Sequence, residues 1–277
     1  MQIRTIQCFV IAALAGVAAL PVVAQAPAEV SLTRFDCSNN AAPADIGRFS
    51  DTMAYEGKKL QLTASCYLIR HADQFLIWDT GYPAAAPGVP ADRAVKVTLV
   101  EQLAQLKIKP EQINYVGISH YHGDHTGQAA SFPQATLLIG QGDWDVLKGP
   151  TPSGTTNAAP LKHWLDGAGK SEPVAKDKDV FGDGTVVMLD MPGHTPGHHS
   201  LLVKLKEKGN VLLTGDQAHF RENYESNGVP TFNFNRGDTL ASFDRFKQLA
   251  KNLNATVVIQ HDPRDIDKLP AFPAAAK

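Results

Sequence analysis

The chain has 277 residues, which allows one or two domains. Apolar residues make up 43% and charged residues 19%, an ordinary balance for a soluble globular protein. The formal net charge is −2 and no basic block or stripe is visible, which argues against nucleic acid as the main partner.

The N-terminus reads as a secretory signal: "MQIRTIQ" carries one Arg, "CFVIAALAGVAALPVV" is an apolar run, and "AQA" offers small residues for cleavage. Cleavage after Ala24 makes residues 1–24 the signal peptide and leaves Gln25 first; cleavage after Ala26 would leave Pro27 first and is disfavoured. The competing reading is a permanent anchor, but the run is short for a spanning helix and Pro21 interrupts it. Cys8 lies too early to be a lipid-modified N-terminal Cys. The expectation is a secreted or periplasmic protein with no stable membrane anchor after cleavage. Such a compartment permits a disulfide between Cys37 and Cys66, though two small buried thiols on strands fit the sequence equally well.

Next come three β segments, "EVSLTRFDC", "LQLTASCYLIR" and "DQFLIWDTG", with "HAD" as the turn between the last two. "TLVEQLAQLKI" places Leu99, Leu103 and Leu106 at helical spacing, closed by Pro110. "INYVGISH" is a short strand, "HTGQAASF" a short helix and "ATLLIG" another strand. The second half repeats the style, with "TVVMLDMPGH", "HSLLVKL" and "NVLLTGD" as strands. "DTLASFDRFKQLAKNL" is an amphipathic helix opening at Asp238 or Thr239, with Leu240, Phe243, Phe246, Leu249 and Leu253 on one stripe. "ATVVIQHD" is a last strand. Residues 82–92, 149–160 and 224–235 are Pro/Gly/Ala-rich stretches that interrupt the pattern and read as loops. Two similar halves of this kind suggest two sheets packed face to face with helices outside.

Four of the apolar strands run into a metal-competent residue: His120, His194, Asp216 and His261. Such side chains are costly inside a buried strand, so the strand ends should meet at one rim. "GISHYHGDHTGQ" adds His122, Asp124 and His125. His120 and His122 sit two apart on an extended turn, and Gly123 is expected to let the chain turn so that Asp124 and His125 face a different ion. His194 can complete the first site, His261 the second, and Asp216 can bridge both. Five histidines and two aspartates suit two ions with a water between them, lowered in pKa toward ~7 and able to attack a carbonyl carbon. No G-x-S-x-G elbow and no Cys in a catalytic setting offers a rival nucleophile.

With these motifs in view the chain resembles the metallo-β-lactamase superfamily, and within it the N-acyl-homoserine lactonases. "SCYLI", "IWDTGYP", "SHYHGDHTG", "MPGHTPGHHSLLV", "VLLTGD", "RENYE" and "VIQHD" fall in the order those enzymes show. The resemblance spans nearly all of the mature chain and implies one hydrolase domain over residues 25–277. Its fold would be α/β, an αββα sandwich of two mixed β-sheets flanked by helices. It implies two Zn2+ ions: His120, His122 and His194 on the first, Asp124, His125 and His261 on the second, Asp216 bridging. A bridging Asp216 separates the chain from the true β-lactamases, and His122 in place of a Glu favours zinc over the superfamily's di-iron oxygen reductases. Other divalent metals remain open.

The implied reaction is opening of the lactone ring of N-acyl-homoserine lactones by a metal-bridging hydroxide, hence quorum quenching, on a small-molecule substrate with an apolar acyl chain. Asp124, Asp216 and His219 are the residues expected to take part in it. One departure stands out, because His219 occupies the place where the lactonases have a Tyr that contacts the lactone carbonyl. An imidazole can also donate to an oxyanion or protonate a leaving alkoxide; the competing reading is a surface His at a helix start. Asp79 and His198 are candidates for orienting the ligands from behind, Asp79 equally a simple turn residue. His199 should point the other way, and His71 and His163 should be solvent-exposed. Tyr82, Trp164, Phe232 and Phe234 either wall an acyl pocket or pack their own loops. The alternatives are a metallo-hydrolase of other lactones, thioesters or β-lactams, or a non-catalytic zinc-binding protein. Thioesterases of the glyoxalase II type share the ligand types, but their extra helical, basic region is not visible here.

Overall fold

A computed structural model of the protein describes residue 2 and residues 28–39, 41–150 and 156–277. The expected leader, residue 2 apart, lies outside the described residues.

Strand β1 (Val30–Asp36) leads into a small hairpin of β2 (Ala44–Asp45) and β3 (Lys59–Leu60). β4 (Ser65–His71) then returns antiparallel along β1, and β5 (Gln74–Trp78) folds back on β4 through Ala72 and Asp73, the expected "HAD" turn with His71 paired in the strand. Helix α1 (Leu99–Gln105) opens on a capping box in which Thr98 and Glu101 exchange hydrogen bonds. Its crossover brings β6 (Tyr115–Ile118) parallel to β5. After the single-turn α2 (Gly123–Thr126) come β7 (Thr136–Gly140), α3 (Gln141–Lys148), α4 (Lys162–Leu165) and β8 (Ser171–Val174). The resulting six-stranded sheet runs β1-β4-β5-β6-β7-β8, antiparallel at one side and parallel at the other.

The second sheet is built from β9 (Lys178–Asp179), β10 (Val186–Asp190), β11 (His199–Leu205) and β12 (Gly209–Leu213), all antiparallel. After α5 (Arg221–Ser226) and the long α6 (Arg236–Asn252), β13 (Thr256–Val258) adds parallel to β12.

Alternation along the strands decides what lies between the sheets. Tyr67, Ile69, Leu76 and Trp78 of the first sheet meet Val186, Met188, Leu201, Val203, Val211 and Leu213 of the second. Leu68, Ile77, Val116, Leu137 and Ile139 point outward and are covered by Leu99, Leu103, Phe132 and Trp164. On the opposite outer face, Leu189, Leu202 and Leu212 pack under Phe246 and Ala250 of α6. This is the helix–sheet–sheet–helix layering that the resemblance implies.

Three local expectations are corrected. Helix α6 starts earlier than Asp238, because Asn235 accepts a hydrogen bond from the Asp238 amide and so is the cap. The loop expected from residue 224 begins inside α5, whose last turn ends at Asn227 in a left-handed conformation. Leu240, Leu249 and Leu253 are only half-buried, Leu249 and Leu253 packing at the margin of the stripe, whose fully buried part is Phe243, Phe246 and the small Thr239, Ser242 and Ala250.

Cys37 and Cys66 form a disulfide, which decides between the two readings of these thiols. Gly81 lies against it at φ +64°, and a Cβ there would come within 2.3 Å of Cys37 Cβ, so only glycine fits. The bond closes a chain separation of 29 residues. Replacing both cysteines by Ser should lower unfolding free energy by about 3–4 kcal/mol on the loop-entropy account. Denaturant titration checks this; an unchanged midpoint would mean the bond constrains nothing.

Candidate metal centre

The seven expected donors meet at one edge of the sandwich, carried not by the strands themselves but by the loops and short helical turns after them. His120 follows the end of β6 by two residues, His194 that of β10 by four, and Asp216 and His261 those of β12 and β13 by three. A regular strand would turn successive side chains to opposite faces; leaving it frees each donor to point at the rim. Gly123 plays a different part from the one expected. It has no positive φ and a Cβ on it would meet nothing, so it is the helical turn of α2 that re-aims Asp124 and His125.

Two donor groups result. His120, His122, His194 and Asp216 offer atoms that all lie within 4.8 Å of one another, as do those of Asp124, His125 and His261. In the first, His122 Nδ1 is 2.8 Å from His120 Nε2 and 3.1 Å from His194 Nε2. Asp216 belongs to both. Its Oδ2 lies 3.6 Å from His120 Nε2 and 3.4 Å from His194 Nε2, while Oδ1 lies 3.2 Å from His125 Nε2 and 2.9 Å from His261 Nε2. Asp124 Oδ2 is 3.9 Å from His125 Nε2 and 3.7 Å from His261 Nε2.

This arrangement fits divalent metal on two counts. Donor atoms 2.0–2.1 Å from a tetrahedral zinc stand about 3.3 Å apart, close to most of these spacings. Hydrogen bonding alone does not account for it: one ring nitrogen, His122 Nδ1, cannot satisfy two facing imidazole nitrogens, and the buried His125 Nε2 and Asp216 Oδ1 make no aligned hydrogen bond among the described residues.

Electrostatics divides the histidines. Burial, reinforced by neighbouring imidazoles, holds His120 and His194 well below the usual histidine range, and burial takes His122 to about 4, so these three are neutral imidazoles ready to ligate. Burial acts the same way on His125 and His261, but the Asp216 carboxylate, with Asp79 beside His125 and Asp124 beside His261, outweighs it and raises both. Burial would raise Asp216, yet the ring of His261, His125, His219 and His120 keeps it well below the usual carboxylate range.

The residues behind the donors orient them. Asp79, fully buried and at φ 55°, accepts from Ser119 N at 2.7 Å and Ser119 Oγ at 2.9 Å, and its Oδ2 lies 2.8 Å from His125 Nδ1. It thus stands at a turn and contacts a candidate donor ring at the same time. His198 Nε2 accepts from the Asp216 amide at 2.9 Å while its Nδ1 donates to Met191 O at 3.0 Å; burial lowers its pKa to about 3, so it stays neutral. His199 turns away, its Nδ1 2.8 Å from Gly197 O. His261 Nδ1 donates to Thr63 O at 2.6 Å.

His219 is not a surface residue. It is 3% exposed, with Nε2 3.1 Å from Asp216 Oδ2 but without an aligned hydrogen bond, and its ring meets Phe49 edge-on at 4.8 Å. Phe232 packs against Phe49 at 5.3 Å and lies 5.8 Å from His219 and 5.9 Å from His194. Of the other loop aromatics, Tyr82 has its hydroxyl pKa raised first by the charge of Asp124 and then by burial, and Phe234 is 62% exposed. Trp164 is a core residue under the first sheet, donating to Ala135 O. His71 and His163 are not free in solvent either: His71 stacks on Phe181 at 4.3 Å and binds Asp183 at 2.7 Å, and His163 reaches Pro133 O at 3.1 Å.

Sequence reasoning missed Asp143. Fully buried, it accepts from Tyr121 N, Thr195 Oγ1 and Gly197 N, and burial pushes its carboxyl up to about 7 against the pull of those bonds.

The sequence model of the metallo-beta-lactamase superfamily matches residues 61–261. The chain belongs to the metallo-beta-lactamase superfamily. Among similar members, the N-acyl homoserine lactonase AttM of Azorhizobium caulinodans is 34% identical over 181 residues, 64% of this chain and 67% of that one. A solved N-acyl homoserine lactone hydrolase with the product N-hexanoyl-L-homoserine bound at its catalytic metal center superposes with a TM-score of 0.75 at 22% identity, covering 90% of this chain and 100% of the other. AidC, described as a dizinc quorum-quenching lactonase, gives a TM-score of 0.63 at 16% identity, covering 91% of each chain. The shared fold therefore covers more of the chain than the matched segment alone.

Replacing Asp79 by Asn leaves His125 Nδ1 without its carboxylate and should weaken binding of zinc, used as the probe ion, by about 10- to 100-fold. Competition with a chromogenic chelator measures it; wild-type affinity in the variant would reduce Asp79 to a turn residue.

Proposed function

We propose that the protein is a binuclear zinc hydrolase that opens the lactone ring of N-acyl-homoserine lactones. The observation that carries this reading is Asp216, one carboxylate with each oxygen turned to a different donor group, in a chain 34% identical to an N-acyl homoserine lactonase. His120, His122 and His194 would hold one ion, Asp124, His125 and His261 the other, with Asp216 shared. Bound there, the two ions would supply an acidified water and a Lewis acid for the carbonyl oxygen.

The chain's own residues then manage the substrate and the protons. In the net reaction the ring C–O bond breaks, a C–O bond to the water oxygen forms, and one water proton ends on the freed alkoxide. Asp124, 24% exposed at the side chain, is placed to accept the proton shed by the water and pass it to that alkoxide. His219 presents a buried Nε2 with no aligned partner, suited to donate to the oxygen that becomes negative. Phe49 and Phe232, packed edge-on beside it, offer an apolar wall to an acyl chain. The disulfide supports an oxidising compartment, so export, with residues 1–24 removed, belongs to the same proposal.

A substrate panel tests it: short- and long-chain acyl-homoserine lactones, simple lactones, a thioester and a β-lactam, on zinc-loaded protein. The acyl-homoserine lactones should be turned over well above the rest. Comparable turnover of the thioester or β-lactam would move the assignment to another superfamily chemistry, and no turnover with two bound zinc ions would favour a zinc-binding protein. His219→Ala should lower kcat/KM by about 100-fold or more at unchanged metal content; an unchanged kcat/KM removes its catalytic role. N-terminal sequencing of the exported protein should begin at Gln25.

A further inference from the structure

Asp143 is a fully buried carboxylate with no cationic partner among the described residues, an expensive side chain to keep in a protein interior. It stands in the first turn of α3. Its Oδ2 accepts from Tyr121 N at 3.0 Å and from Thr195 Oγ1 at 2.9 Å, and its Oδ1 accepts from Gly197 N at 2.7 Å. Tyr121 lies between His120 and His122, and Thr195 follows His194. The three bonds therefore tie together two loops that belong to different sheets, one after β6 and one after β10.

Among the described residues, the facing nitrogens of His122 and His194 at 3.1 Å also span that gap. The ladders run within sheets, and the backbone bond nearby that crosses is His199 N to Ser119 O at 2.8 Å. The start of α3 is pressed directly on the second loop, since a Cβ on Gly140 would fall 1.8 Å from Gly197 O. The donors of the other group are oriented elsewhere: His125 by Asp79 and His261 by Thr63 O.

We propose that Asp143 is a positioning residue, whose carboxylate sets the separation between His120 and His122 on one loop and His194 on the other. This rests on the metal-centre reading of those histidines. A carboxylate suits the place because all three groups donate to it, two of them backbone N–H groups that cannot do otherwise. An Asn amide would offer one acceptor oxygen and turn N–H groups toward the remaining donors.

The test uses the full mature chain loaded with zinc, measuring the affinity of each of the two sites by chelator competition. The ligand-field spectrum at one and two equivalents of Co(II) is recorded in parallel. In Asp143→Asn, one site should weaken by about 10- to 100-fold with an altered Co(II) spectrum, while the other stays within about twofold. Thr195→Val removes one of the three bonds and should weaken the same site by about fivefold, the worth of one hydrogen bond; it carries the test if Asp143→Asn does not fold. Equal loss at both sites would mean general destabilisation and overturn the proposal, as would unchanged affinities and spectra in either folded variant. A wild-type chain that binds no zinc overturns the metal-centre reading as well. A wild type that binds two ions beside an unaffected variant overturns the Asp143 proposal alone.

Discussion

The arrangement at the rim depends on one carboxylate, Asp216, held among imidazoles that approach it from two directions. An isolated carboxylate in such a place would be strongly disfavoured, and so would five close-set histidines. Each makes the other tolerable, and a shared pair of cations would satisfy both at once. The sandwich serves this meeting. Asp216 and His261 come from the adjacent parallel strands β12 and β13, His194 from the far side of the same sheet, and the remaining donors from the facing sheet. The inter-sheet core of Tyr67, Trp78, Met188 and Leu213 fixes the distance across which they must reach.

Behind the donors lies a layer of buried polar groups, each with a stated partner. Asp79 and Ser119 hold His125, Thr63 O holds His261, His198 holds the Asp216 backbone, and Asp143 joins two loops. In a low-dielectric interior such bonds are stronger than in water, and each lost partner leaves a costly orphan. Those bonds hold the rim where the strands have ended and only short helical turns remain. They also explain why strands end short of their donors: the orienting bonds need backbone groups that a continued ladder would consume.

Much of this was legible in the sequence. His120, His122, Asp124 and His125 are compact enough to be read together, and His194, Asp216 and His261 stand out because each follows an apolar strand. The division around Gly123 could be read too, although the physical reason is the helical turn of α2 rather than glycine's freedom. What could not be read depends on proximity that chain order does not encode. Asp143 looks like an ordinary acidic residue in the first turn of a helix, Trp164 like a loop aromatic, and Thr63 acts through its backbone. The start of α6 was misplaced because Asp238 resembles a cap, whereas it supplies the amide that Asn235 caps. His219 was recognisable as a departure from the lactonase pattern, but its burial against Phe49 depends on a chain segment 170 positions away.

That last contact divides the molecule's information in a useful way. Every candidate metal donor falls inside residues 61–261, the stretch matched by the superfamily model. Phe49, which touches His219 and braces Phe232, falls before it, and its carbonyl is pinned by Asn223 Nδ2 at 3.0 Å. The shared stretch thus carries the donors, while part of the surface over them is written in a separate and shorter piece of chain. Insertions or substitutions before residue 61 can remodel the approach to His219 without disturbing a single donor.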